Sequence, residues 1–351
     1  MGAPKAQLTD WPEDLKEVID WFLRVGGKDT GNQDNDKSGA LKNAVEKLKG
    51  YESFKSALGN GDLGGLFKKV AEGLQSFIGY DNNGTQELKD KGIALKSGYT
   101  SSYGSAKWEN QLDQPESQEA KKAAKLFLGS TPILYFGLTY IYCKCSNTER
   151  YGGWNNMKMS NTSSPLYLFM SAMGFKITEL QNIQGSQVAR HLISNHTYGF
   201  DELRKAKKSE ASYSGYLDNI NLYGEGKISN SAASCPLYAL YNASTAYLKS
   251  RFTGSEVQDE TLQEIKKKLF NFRDSCGYSY SELQYEINNF LTAVELSQPS
   301  TSHASPDTPP SPAGPVAGTL TTLGLGGGAA AAYLFNLGGA KTLVNGLLKI
   351  G

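Results

Sequence analysis

Between Leu15 and Leu23 the apolar residues Leu15, Val18, Ile19, Phe22 and Leu23 recur at the spacing of one helical face. Asp10 and Glu13, either side of Pro12, read as a capping box that opens this helix, and Gly26-Gly27 closes it. A second amphipathic run holds Leu41, Ala44, Val45 and Leu48 and stops at Gly50. A third carries Leu63, Leu66, Phe67, Val70, Leu74, Phe77 and Ile78. The stretch from Glu116 to Tyr142 is longer, polar at first and then apolar. Pro132 should kink or divide it near Thr131, because proline lacks the N–H that the helical ladder needs. Its uncharged part, Leu126 to Cys143, is almost long enough to span a bilayer, but Gly129, Ser130, Thr131 and Pro132 interrupt it. The expectation is a buried central helix pair.

Further helices are predicted over Pro165–Met173, Ser186–Ser194, Ser234–Lys249, Glu256–Phe272 and Ser281–Leu296. Alternating strand patterns are short and few, and no repeat period is evident. The fold class expected is all-α, a multi-helix bundle over residues 1–296.

Beyond the helices the texture changes. Ser297 to Pro315 holds six of the twelve prolines and almost nothing apolar, which marks a Pro/Ser-rich linker. Val316 to Ala340 then runs 25 residues without a charge. As a helix it would cover about 37 Å, against a hydrocarbon core of about 30 Å. Seven of these residues are Leu, Val or Phe, among them Val316, Leu325, Leu334, Phe335 and Leu337, while seven glycines and three threonines weaken the signal. Gly324 and Gly328 make a small-xxx-small pair that permits close helix contact in lipid. The competing reading is a flexible Gly/Ala tail in water, but that would leave Leu325, Tyr333, Leu334, Phe335 and Leu337 exposed. The expectation is a membrane helix over 316–340, with 341–351 as a short cytoplasmic tail. Lys341 and Lys349 follow it without an acid, so the positive-inside rule puts them in the cytosol and residues 1–315 on the far face. No cleavable secretory leader is visible at the start, so this orientation implies an unusual export route.

Composition narrows the function classes. The chain has 351 residues, with 36 Lys and Arg against 35 Asp and Glu, for a net charge of +1. That balance excludes a broadly basic nucleic-acid binder. Three histidines leave little for a histidine-based metal or acid–base site. His191 and His196 are five apart, off the four-residue spacing that shares a helical face. Gly59-Asn60-Gly61-Asp62-Leu63-Gly64 matches G-x-G-x-x-G, but helical residues precede it where a dinucleotide fold needs a strand, so it reads as a helix–loop–helix turn. No catalytic constellation emerges. The chain is not expected to be an enzyme, and no cofactor is expected.

Four cysteines stand at Cys143, Cys145, Cys235 and Cys276. Their spacing is unlike common zinc modules. They admit two bridges, with Cys235 and Cys276 each taking one of the adjacent pair, and they equally admit buried reduced thiols. Sequons at Asn83, Asn161, Asn195 and Asn242 are about as many as chance would place in a chain this rich in Asn, Ser and Thr.

Four stretches carry a resemblance. Leu8–Asp29 (LTDWPEDLKEVIDWFLRVGGKD), Ile133–Cys145 (ILYFGLTYIYCKC), the Pro-rich linker and Gly338–Gly351 (GGAKTLVNGLLKIG) resemble the variant erythrocyte surface antigens of Babesia parasites. The resemblance implies an exported, antigenically variable protein of the infected red-cell surface, with one membrane span and roles in cytoadhesion and immune evasion. The partners it implies are the membrane, a paralogous subunit and a host endothelial receptor, with no nucleic acid. Long members of that family carry an extended cysteine- and lysine-rich region that four cysteines in 351 residues do not match. A non-adhesive short paralogue is therefore the alternative, together with a tail-anchored intracellular interaction protein of helical fold.

Overall fold

The structure is a computed structural model that describes residues 4–29, 36–79, 92–95, 99–107, 113–193, 236–252 and 260–294. Among the described residues it is all-α, with ten α-helices, three short 3-10 turns and no strand. The linker 297–315, the apolar stretch 316–340 and residues 341–351 lie outside the described residues.

Helix α1 (Leu15–Val25) follows the predicted periodicity, but its cap lies four residues later than expected. Asp14 is the N-cap, and its carboxylate accepts from the Glu17 N–H at 2.8 Å. Glu17 reaches back past the cap to accept from the Glu13 N–H at 2.8 Å, so the returning bond goes to the residue before the N-cap rather than to the cap itself. Asp10 instead folds the preceding arm, accepting from the Ala6 and Gln7 amides.

Helices α2 (Ser38–Glu46), α3 (Tyr51–Leu58) and α4 (Leu63–Ile78) follow. The glycine-rich Gly59–Gly64 stretch makes the turn from α3 at Gly59–Asp62 and enters α4 at Leu63, where Asp62 caps by accepting from the Gly65 N–H at 2.9 Å.

The long central element corrects an expectation. Residues Gln118–Ser146 form one helix, α5, which runs through Pro132 rather than dividing there. Pro132 leaves the Leu128 carbonyl without its ladder donor. On the adjacent residue pair the Thr131 hydroxyl donates to the Phe127 carbonyl at 2.7 Å. Packing holds the rest, since Leu126 to Tyr135 is buried throughout. The helix is long and apolar enough to cross a membrane, yet it is almost wholly enclosed by the domain.

Around α5 pack α1, α2, α7 (Gly185–Ile193), α8 (Pro236–Phe252), α9 (Glu260–Cys276) and α10 (Ser281–Ala293). α4 closes over α1 and α2, α3 lies on α8, and α6 (Pro165–Ala172) sits in the connection before α7. α8 and α9 bracket residues 253–259, outside the described residues, and α10 ends three residues short of the predicted Leu296.

Close approach is built from glycine. A Cβ on Gly137 would stand 2.6 Å from the Leu15 side chain, and one on Gly129 would meet Ile265 at 3.1 Å and Trp11 at 3.2 Å. An aromatic cluster then fills the junction of α1, α4 and α5. Phe22 stacks on Phe67 with centroids 4.9 Å apart, and Trp21 and Phe127 meet them edge-on or tilted.

Candidate functional site

The feature that periodicity did not show is the other face of α1. Lys16, Glu17, Asp20 and Arg24 are as buried as the apolar face, so the helix is enclosed on every side. Burying four charges is costly unless each is paired and hydrogen-bonded. Two non-helical segments supply the partners. One is the N-terminal arm, residues 4–14, and the other is a strap, residues 99–107, which join at the Gln7–Lys107 parallel bridge.

The Lys16 ammonium sits 2.6 Å from Asp20 Oδ2, donates to the Thr100 carbonyl at 2.8 Å, and lies 4.8 Å from the Tyr99 ring centre. Asp20 also accepts from the Ser102 N–H at 2.9 Å and the Tyr99 hydroxyl at 2.8 Å. Glu17 pairs with Lys5 of the arm at 3.0 Å. Arg24 Nη2 donates to the Ala106 carbonyl at 3.1 Å. The arm and strap are anchored in turn by two aromatic donors. Trp21 Nε1 donates to the Leu8 carbonyl at 2.9 Å, and the Tyr103 hydroxyl to the Asp10 carbonyl at 2.6 Å. A second layer comes from the turn after α6. Glu179 accepts from the Thr100 N–H at 3.1 Å while Lys176 holds its other oxygen at 3.0 Å.

The electrostatics follow from enclosure. Burial pushes the Asp14 carboxyl up to about 6, and the Glu17 N–H it caps pulls only partly back. Its wall is the backbone of Gly174, where φ is +90° and any Cβ would collide with the carboxyl. Burial also raises Asp20, against the pull of the Lys16 ammonium, the Ser102 N–H and the Tyr99 hydroxyl. Tyr103 is raised well above the ordinary phenol range, by burial first and by Glu17 next. Chemically the arrangement is a clasp. It orders a charged helix and fixes two coil segments against it.

The other candidate residues are placed as follows. Cys143, Cys145 and Cys276 are buried thiols outside any disulfide, and Cys235 lies outside the described residues. Burial drives Cys145 far above the usual thiol range and Cys276 up to about 12, so neither is a ready nucleophile. His191 lies on α7, and His196 and His303 are outside the described residues. The candidate membrane residues Val316, Leu325, Leu334, Phe335 and Leu337 are also outside them. Among the described residues, no group of three or more His, Cys, Asp or Glu is placed to hold a metal ion.

Fold and site together define an all-α domain centred on an enclosed apolar helix and closed by a buried polar clasp. No protein-family model, curated protein or solved structure matches the chain.

Proposed function

We propose that this chain is a membrane-anchored, surface-displayed antigen of the variant erythrocyte surface antigen type. In this reading the helical domain is held outside the infected red cell by the apolar stretch Val316–Ala340. The observation that carries it is where the family-like residues lie in the fold. Leu8–Asp29 and Ile133–Cys145 supply α1 with its cap and the second half of α5, nearly all of it buried. Residues of that kind are scaffold. A protein whose surface varies while its fold persists needs its shared sequence inside and its changeable sequence in exposed connections. The Pro-rich linker suits a spacer between domain and bilayer, and Lys341 and Lys349 suit the cytosolic side. Adhesion to a host endothelial receptor would use exposed connections, alone or with a paralogous subunit.

A second reading is favoured by the thiols. Three buried, unbridged cysteines suit a reducing compartment, as in an intracellular interaction protein held at a membrane by the same apolar stretch. Protease treatment of intact cells carrying the full chain separates the two. Surface display requires residues 4–294 to be degraded from outside, and complete protection sinks that reading in favour of the second.

A further inference from the structure

Of the four sequons, those at Asn161 and Asn242 fall within the described residues. N-glycosylation engages two groups of the tripeptide together, the Asn carboxamide and the hydroxyl two residues on, so both must reach solvent on the same side of the chain. In α8, Asn242 is exposed, but a helix turns about 100° per residue, which carries position 244 to nearly the opposite face. Ser244 is accordingly fully buried. The helix separates the two groups that the reaction needs.

Asn161 differs in each respect. Asn161, Thr162 and Ser163 are all exposed, in the turn between the Lys158–Gln184 bridge and α6. The Ser163 N–H donates to Asn161 Oδ1 at 3.2 Å, an Asx turn that folds residue 163 back toward the carboxamide. The turn is fixed at both ends. The Asn161 N–H donates to the Lys158 carbonyl at 3.2 Å, and the Ser164 N–H to the Asn161 carbonyl at 2.8 Å. Ser164 itself is buried and caps α6 by accepting from the Tyr167 N–H at 3.1 Å.

We propose that Asn161 is an N-glycan acceptor of the folded domain and that α8 closes Asn242 to the same reaction. The co-reactant is a lipid-pyrophosphate-linked oligosaccharide. The Asn161 Nδ2 attacks the anomeric carbon of the first sugar, the C–N bond forms as the C–O bond to pyrophosphate breaks, lipid pyrophosphate leaves, and the Nδ2 proton passes to solvent. The proposal rests on the reading of residues 1–296 as exported for its setting in the cell, but the acceptor geometry belongs to the fold.

The test uses the purified, folded full chain, a single-subunit eukaryotic oligosaccharyltransferase and a lipid-pyrophosphate-linked oligosaccharide, with site occupancy read by peptide mass spectrometry. Asn161 is expected to gain the glycan and Asn242 to stay bare. Ser163→Ala is expected to abolish the Asn161 signal and Ser163→Thr to retain it, with circular dichroism showing the fold unchanged in both. An unmodified Asn161, or an Asn242 modified as fully as Asn161, overturns the proposal. Failure of surface display in cells would overturn the functional reading alone, because this reaction requires no membrane crossing.

Discussion

Asp14 performs two tasks that pull in opposite directions. As an N-cap it is favoured ionised, beside the positive end of α1 and the Glu17 N–H. Pressed against the Gly174 backbone it is favoured neutral, and the second effect wins, leaving its carboxyl at about 6 against an ordinary 3.8. A carboxyl raised in the folded state binds its proton more tightly there than in the unfolded chain. Its contribution to stability is therefore largest below pH ~4, declines as pH rises toward ~6, and is flat above, a swing of up to about 3 kcal/mol. Asp14→Asn keeps a capping oxygen without the charge. The variant should match the parent in acid and exceed it in stability above pH 6, as read by urea unfolding at pH 4 and pH 8. Equal stability differences at both pH values would refute the account. Phe22 tests the apolar face of the same helix. It is fully buried against Phe67, so Phe22→Ala should cost about 3–5 kcal/mol, and an unchanged melting temperature would refute the packing described.

At the scale of elements, the two faces of α1 show what sequence does and does not carry. Leu15, Val18, Ile19, Phe22 and Leu23 announce a helix and one buried face, and the structure has both. The burial of Lys16, Glu17, Asp20 and Arg24 has no counterpart in the pattern, because nothing local shows that a strap about 80 residues away will cover them. The strap itself has no helical or alternating period, so it carries no sequence signal of its own. Pro132 misleads for a related reason. Local propensity says that a helix breaks there, while the surrounding helices hold α5 continuous. Glycine positions separate packing from propensity within this framework. Gly39 lies in α2 with open space around it, so Gly39→Ala should stabilise by up to about 1 kcal/mol. Gly137→Ala gains the same propensity but drives a methyl into fully buried Leu15, and should destabilise by about 1–3 kcal/mol. Thermal unfolding of the pair checks the claim, and two shifts of the same sign would contradict the close contact of α1 and α5.

At the scale of the whole molecule, two apolar segments invite a membrane, and the domain accounts for one of them. α5 spends its apolar surface inside the bundle, so the proposed anchoring rests on Val316–Ala340 alone. An inserted helix satisfies its own backbone hydrogen bonds, which an extended Gly/Ala segment in lipid would not. If this segment inserts, alkaline carbonate should leave the full chain in the membrane pellet, while a variant truncated after Pro315 should be recovered in solution. Seven Leu, Val and Phe residues set against seven glycines make the margin narrow. Leu325→Arg or Leu334→Arg, near the middle, should add about 3 kcal/mol to the insertion cost and release the chain. Retention of the Arg variants would move the anchor to a partner subunit. Complete extraction of the unmodified chain would remove Val316–Ala340 as a span, and with it the anchored form of both functional readings.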